Sequence, residues 1–209
     1  MTAPCRSEYR RGERARGQVE GGRVPHAAAV AVLLILLAGC AGNSDSYVHP
    51  EADLGFYEKV GVIPFATLGA DRLAGDKMAS AFTTHLLLSR RFEVVEPGQF
   101  LASYQKEVGA NTPPPIGLPQ DKLSALAKET SVQGIFQGTV KDYDYSGGSS
   151  SRPVISVEVR LVDVATGNVV WSTSVTRTGS ASLLGIGGTH TLAELTEDVA
   201  AELVGRLPR

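Results

Sequence analysis

Residues 154–178 read VISVEVRLVDVATGNVVWSTSVTRT, and this stretch constrains the fold more than any other. Ile155, Val157, Val159 and Leu161 alternate with Ser156, Glu158 and Arg160 over Val154 to Val164. Period-two alternation of this kind puts the apolar set on one face of a strand and the polar set on the other. Ala165 to Asn168 (ATGN) supplies turn residues, and Val169 to Thr178 returns as a second strand, so a β-hairpin is expected here. A hairpin with one apolar face needs a layer to cover it.

The rest of the chain offers that layer. Lys59 to Phe65 (KVGVIPF) reads as a buried strand, and Gly75 to Leu88 places Met78, Phe82 and Leu86 at helical spacing. Phe92 to Glu96 is a strand halted by Pro97-Gly98, and a short helix is expected over Gln99 to Glu107. Asn111 to Pro119 contains four prolines in nine residues and is neither helix nor central strand; a stiff recognition loop and a plain connector both fit it. Gln120 to Thr130 is a helix with Leu123, Leu126 and Ala127 on one face, and Gly134 to Tyr143 is a strand followed by the SGGSSS loop. Thr191 to Leu207 closes the chain as a helix striped by Leu192, Leu195, Val199 and Leu203. The predicted order is β-α-β-α-α-β-β-β-α: a single-domain α/β (α+β) mixed-sheet sandwich.

The amino-terminal part differs in kind. Ala27 to Ala38 is a run of twelve apolar residues behind an arginine-rich flank. A membrane-spanning helix needs about 20 such residues, whereas a secretory h-region needs about 7–15. The run ends in Leu37-Ala38-Gly39-Cys40, which matches the lipobox of bacterial lipoproteins. That match implies cleavage between Gly39 and Cys40 and acylation of Cys40, with palmitate among the attached chains. One acyl chain anchors a protein marginally and two or more hold it stably, so the bilayer becomes the first expected partner. The expected division is a signal peptide over 1–39, a lipidated flexible tether over 40–54 and a periplasmic domain over 55–209. The polar leader is long for a signal peptide, so residues 1–23 read as an over-extended translation start. Cys5 then falls outside the product, and Cys40 is the one cysteine after cleavage. Ala41 in place of an aspartate points, by the sorting habit of lipoproteins, to the outer membrane, facing the periplasm.

Composition narrows the function. Residues 40–209 carry 14 basic and 19 acidic side chains, about −5 in all, and no basic stripe, which argues against nucleic acid. No G-x-x-x-x-G-K-[ST] phosphate loop and no G-x-S-x-G elbow occur. His26, His49, His85 and His190 lack partners at metal spacing, His85 reads as a structural helix residue, and Asp142 and Asp144 read as a solvated strand end. No catalytic residue, cofactor or metal is assigned, and an enzyme is not expected. Gly179 to Gly188 (GSASLLGIGG) sets Leu183, Leu184 and Ile186 among glycines and serines. These three are candidate contacts for a partner or a membrane surface, or they fold onto the core; both remain open here.

KVGVIPF followed by a helix and RFEVVE, then LSALAKETSVQGIFQGTV and the 154–178 hairpin, together resemble a periplasmic α/β module. It is shared by curli-secretion (CsgG-like) lipoproteins, penicillin-binding-protein activators (LpoB-like) and the amino-terminal domain of TolB. The resemblance runs from Lys59 to Leu207 and implies the fold and the compartment. Curli-type pores insert two long transmembrane hairpins; the connections here, Tyr145 to Val154 and Thr178 to Thr191, are too short for two strands of about 9–11 residues each. The expectation is a lipid-anchored, non-enzymatic interaction or assembly module for another cell-envelope protein. The alternative is a subunit of a CsgG-like export assembly without its own transmembrane hairpins, and an oligomer is compatible with both.

Overall fold

The computed structural model describes residues 46–110, 113–146, 152–179 and 191–208. The strands are β1 (Ser46–Val48), β2 (Lys59–Val62), β3 (Ala66–Thr67), β4 (Glu93–Val94), β5 (Gly134–Ser146), β6 (Arg152–Asp163) and β7 (Val169–Thr178). The helices are α1 (Ala74–Ser89), α2 (Pro97–Val108), α3 (Gln120–Thr130) and α4 (Leu192–Gly205). They build one mixed sheet in the order β1-β7-β6-β5-β2-β4, with β3 paired separately to β5. The mixed α/β sandwich expected from the sequence is present, with two short strands, β1 and β3, added to the predicted order.

The hairpin sits as its alternation requires. Ile155, Val157, Val159 and Leu161 are fully buried on one face, under α1 and α4. There they meet Met78, Phe82 and Leu86 of α1 and Leu195, Val199 and Leu203 of α4. Phe136 is packed edge-on against Phe82 at 5.2 Å and Trp171 at 6.2 Å between ring centroids. Among the described residues, the opposite face is covered only in part. α2 and α3 lay Phe100, Tyr104, Leu123 and Leu126 on Ile63, Ile135 and Val162. Gly61 lets the Phe100 ring lie on the backbone of β2, and a Cβ there would collide with it. Farther along, this face is polar: Glu158 pairs with Lys141 at 2.8 Å, and Arg160 donates to the Ile116 carbonyl and to Gln137 Oε1. The described part of the proline-rich segment is thus fastened to the sheet as a connector.

Local chemistry explains the element ends. Pro97, which was expected to stop a strand, is the first residue of α2, where its missing N–H is no loss. The Glu96 carboxylate accepts from Gly98 N at 3.0 Å and Gln99 N at 2.6 Å, and these bonds hold it below the usual carboxylate range. α4 opens with a capping box between Thr191 and Glu194. The 165–168 turn is built by Asp163, whose Oδ1 accepts from Ala165 N, Thr166 N and Thr166 Oγ1 at 2.7–3.0 Å, while Gly167 supplies φ +75°.

One boundary needs correction. Residues 46–54 were expected to belong to a flexible tether, but they are folded onto the domain. β1 pairs antiparallel with β7, Ser46 opposite Thr173 and Val48 opposite Trp171. Ser46 Oγ donates to Thr173 Oγ1 at 3.0 Å, His49 N donates to Val170 O at 2.9 Å, and Ala52 and Leu54 pack against the core. Arg206 at the end of α4 donates to the same Thr173 hydroxyl and to Glu202, which also accepts from Nε and Nη2 of Arg177. Three residues without alternation carry no strand signal of their own; β7 supplies it from more than 120 positions away.

Candidate functional site

α1 has two working faces. One carries Met78, Phe82 and Leu86 into the core at 0% exposure. The other, Asp76, Ala79, Ser80, Thr83, Thr84 and Leu87, recurs at helical spacing and forms one wall of an open groove of about 340 Å³. Pro97 and Leu101 of α2 form the facing wall, and Val62, Ile63 and Pro64 form the floor. The threonine hydroxyls on α1 do not make this wall polar. Thr83 Oγ1 donates to Ala79 O at 2.7 Å and Thr84 Oγ1 to Ser80 O at 3.1 Å. With both threonine hydroxyls bonded back to their own helix, the groove is lined mainly by carbon.

The lips of the groove are apolar and exposed. Leu87 is 50% and Leu101 38% exposed. Isolated leucines on a surface mean little; two at the lips of one groove make an apolar patch of the kind that marks contact sites. Among the described residues, Asp76 is the only charged one in the lining. Such a surface can take an apolar segment and offers no nucleophile–base pair to act on it.

Of the residues singled out from the sequence, the described ones do not line the groove. Cys40, Gly39, Leu183, Leu184 and Ile186 all fall outside the described residues; the last three are flanked by Gly179 and Thr191. His85 is partly buried on α1 with Nε2 3.0 Å from Glu197 Oε2, an ordinary surface link to α4. Asp142 and Asp144 are exposed, while Tyr143 between them is buried, accepts from Thr196 Oγ1 at 3.1 Å and lies 5.2 Å from the Lys77 ammonium. Among the described residues no three of His, Cys, Asp and Glu come together as metal ligands. No helix among them is long and apolar enough to cross a membrane.

The strongest electrostatic perturbation is structural. Tyr57 Oη donates to Asp163 Oδ2 at 3.0 Å. Burial, then that hydrogen bond and the Asp163 charge, push the phenol well above its ordinary value. Burial pushes the Asp163 carboxyl up, but the bonds from Thr166, Tyr57 and Ala165 outweigh it and hold the group below the usual range. The pair ties the segment after β1 to the hairpin turn.

Sequence reasoning missed the groove. Thr83 and Thr84 look polar in the sequence, and only their hydrogen bonds to the helix carbonyls reveal a mainly apolar wall. The available signal was a second stripe of small residues ending in Leu87, beside the core stripe of the same helix.

No protein-family model matches the chain, and no curated protein matches it. Solved structures do. The PelC dodecamer from Paraburkholderia phytofirmans is 21% identical and is matched over 76% of this chain and 91% of its own, with a TM-score of 0.52. A variant of the same dodecamer reaches 0.54 over 78% and 96%. Lipoprotein GNA1162 from Neisseria meningitidis is also 21% identical, matched over 71% of this chain and 99% of its own, with a TM-score of 0.53. The C-terminal domain of LpoB from Salmonella enterica aligns at a TM-score of 0.41 and 17% identity, too distant to carry an argument. The chain is therefore similar in fold to PelC and to lipoprotein GNA1162.

Proposed function

We propose that this protein is a lipid-anchored module of the bacterial cell envelope, held at the periplasmic face of the outer membrane by acylated Cys40. It works by binding and assembling other envelope proteins and catalyses no reaction. The observation that carries the reading is the α1–α2 groove: a mainly apolar surface rimmed by Leu87 and Leu101. The lipobox-like Leu37-Ala38-Gly39-Cys40 supports the compartment, and the fold shared with a protein described as a lipoprotein agrees with it. Leu183, Leu184 and Ile186 are kept as a second contact of the same class. The narrower kinship to curli-secretion and TolB modules belongs to this reading too.

Membrane fractionation followed by pull-down tests it. Wild type should partition with the outer membrane and bring down an envelope protein. Cys40→Ser should leave the membrane, and Leu87→Asp should stay on the membrane but lose the partner. A Cys40→Ser protein that stays membrane-bound contradicts the anchor; an unchanged pull-down with Leu87→Asp contradicts the groove.

A second reading, a subunit of an export assembly, is favoured by one observation: the structurally similar PelC is described as a dodecamer. A detergent-extracted species of many copies on size exclusion supports it, and a monomer or dimer counts against it.

A further inference from the structure

The groove between α1 and α2 has a strand edge for its floor. The β4 chain runs parallel to the β2 chain and gives its amides to alternate carbonyls: Glu93 N to Glu58 O at 2.7 Å and Val95 N to Val60 O at 3.0 Å. The next carbonyl in that row belongs to Val62, and the next amide would be that of residue 97. Residue 97 is proline, which has no N–H, and the chain turns away there into α2. The row of β4 amides therefore ends at Val60. On its other side β2 goes on pairing, with Ile63 N donating to Phe136 O at 3.2 Å. Val62 and Pro97, where the ladder stops, both line the groove.

The open edge continues beyond the groove. β3 follows β2 along β5 and, among the described residues, pairs on that side alone. A second cavity of about 580 Å³ lies beside it, with Thr67, Arg72, Pro113 and Pro114 in its lining. Asp76 lines both cavities, so the two make one trench along α1. From Val62 to Thr67 the floor is six residues long, about 20 Å of strand. One half of the trench is apolar, between Leu87 and Leu101; the other half carries Asp76 and Arg72. Lys77 is held by Asp71 at 2.8 Å, and Asp76 has no ion pair among the described residues.

From this open edge we infer that the trench takes an extended segment of a partner protein, which adds to β2 and β3 as a further strand. The segment is about six residues long, the length of the open floor. It is apolar where it passes Leu87 and Leu101 and has one Lys or Arg opposite Asp76; Arg72 farther along disfavours a run of basic residues. The inference rests on the reading of the groove as a contact site and names what it holds. Layer geometry selects a strand. α1 and α2 pack on opposite faces of the sheet and are held apart by one thickness of it. A strand continues that layer at the usual spacing of about 4.8 Å, whereas a helix with its side chains is about 10–12 Å across. Backbone bonds to the open edge supply affinity, and the two walls select alternate side chains. Pro64 has no N–H to offer, so the carbonyl of Val62 supplies the first rung.

Selection from a random-peptide phage library on the full-length protein, held in lipid nanodiscs, tests the inference. The expected winners share alternating apolar residues followed by a single Lys or Arg. As synthetic peptides they should bind wild type and lose about tenfold or more in affinity on Leu101→Asp. Ser80→Arg, on the exposed wall, is a second blocking variant should Leu101→Asp fold poorly. Methylating the peptide's backbone amides one at a time should cost about tenfold at alternate positions and little between them, the mark of an added strand. Asp76→Lys should turn the selected basic residue into an acidic one. Methylation without alternation, winners with apolar residues at helical spacing, or a basic residue unchanged by Asp76→Lys overturns the inference and leaves the groove as a contact site of another kind. No winners, or winners that ignore both blocking variants, overturn it too, and the envelope pull-down with Leu87→Asp then shows whether the groove falls with it.

Discussion

The two faces of α1 are made from the same sixteen residues and have opposite fates. Met78, Phe82 and Leu86 are buried against the sheet and α4, where each contact has a partner within the chain. Ser80, Thr84 and Leu87 are exposed and, among the described residues, have α2 across a gap. The core face is finished by the fold. The groove face is unfinished, and that difference separates residues that make the domain from residues that give it something to bind.

Mutations on the two faces should separate stability from binding. Phe82→Ala should have the largest effect, about 3–5 kcal/mol of unfolding free energy, because it removes an aromatic ring from a closed site. Urea denaturation checks this; a loss under 1 kcal/mol would mean that the face is looser than described. Asp163→Ala should cost less, about 1–3 kcal/mol, since Tyr57 Oη and the Ala165 and Thr166 amides lose their acceptor. Its contribution has a defined pH window. The folded pKa is lowered, so the stabilisation is present above the ordinary aspartate value and is lost as pH falls through the lower folded value. Denaturation midpoints of Asp163→Asn should therefore fall less steeply on the acid side than those of wild type. Ser46→Ala should cost about 1 kcal/mol, visible as faster amide exchange in β1 while β6 is unchanged. Leu87→Ser should change stability by about 0.5 kcal/mol or less, because half of the side chain is already in water. Thermal melting that shows a large drop would place Leu87 in the core and erase the contrast between the faces.

Much of the finished face could be read from the sequence. Strand alternation at Ile155, Val157, Val159 and Leu161, and helical spacing at Met78, Phe82 and Leu86, report burial directly because periodicity is local. β7 and α3 were bounded at Val169–Thr178 and Gln120–Thr130 by turn residues and prolines alone. What depends on distant partners could not be read. β1 is a strand only because β7 offers an edge to Ser46, Tyr47 and Val48. Pro97 looks like a stop until the Glu96 carboxylate is seen capping the helix that Pro97 begins. The groove is the hardest case, since whether Leu87 is core or surface depends on how far α2 stands from α1. Of the predicted contacts, Leu183, Leu184 and Ile186 lie outside the described residues, whereas the groove was found from the folded chain.

Site-specific photocrosslinking in intact cells, with the reactive residue at Leu87, tests the central claim most directly. Lys128, an exposed position on α3 away from the groove, serves as the control. A discrete adduct at 87, absent at 128 and abolished by adding Leu101→Asp, is the result expected of an interaction groove. No adduct at 87, or equal adducts at both positions, would contradict it.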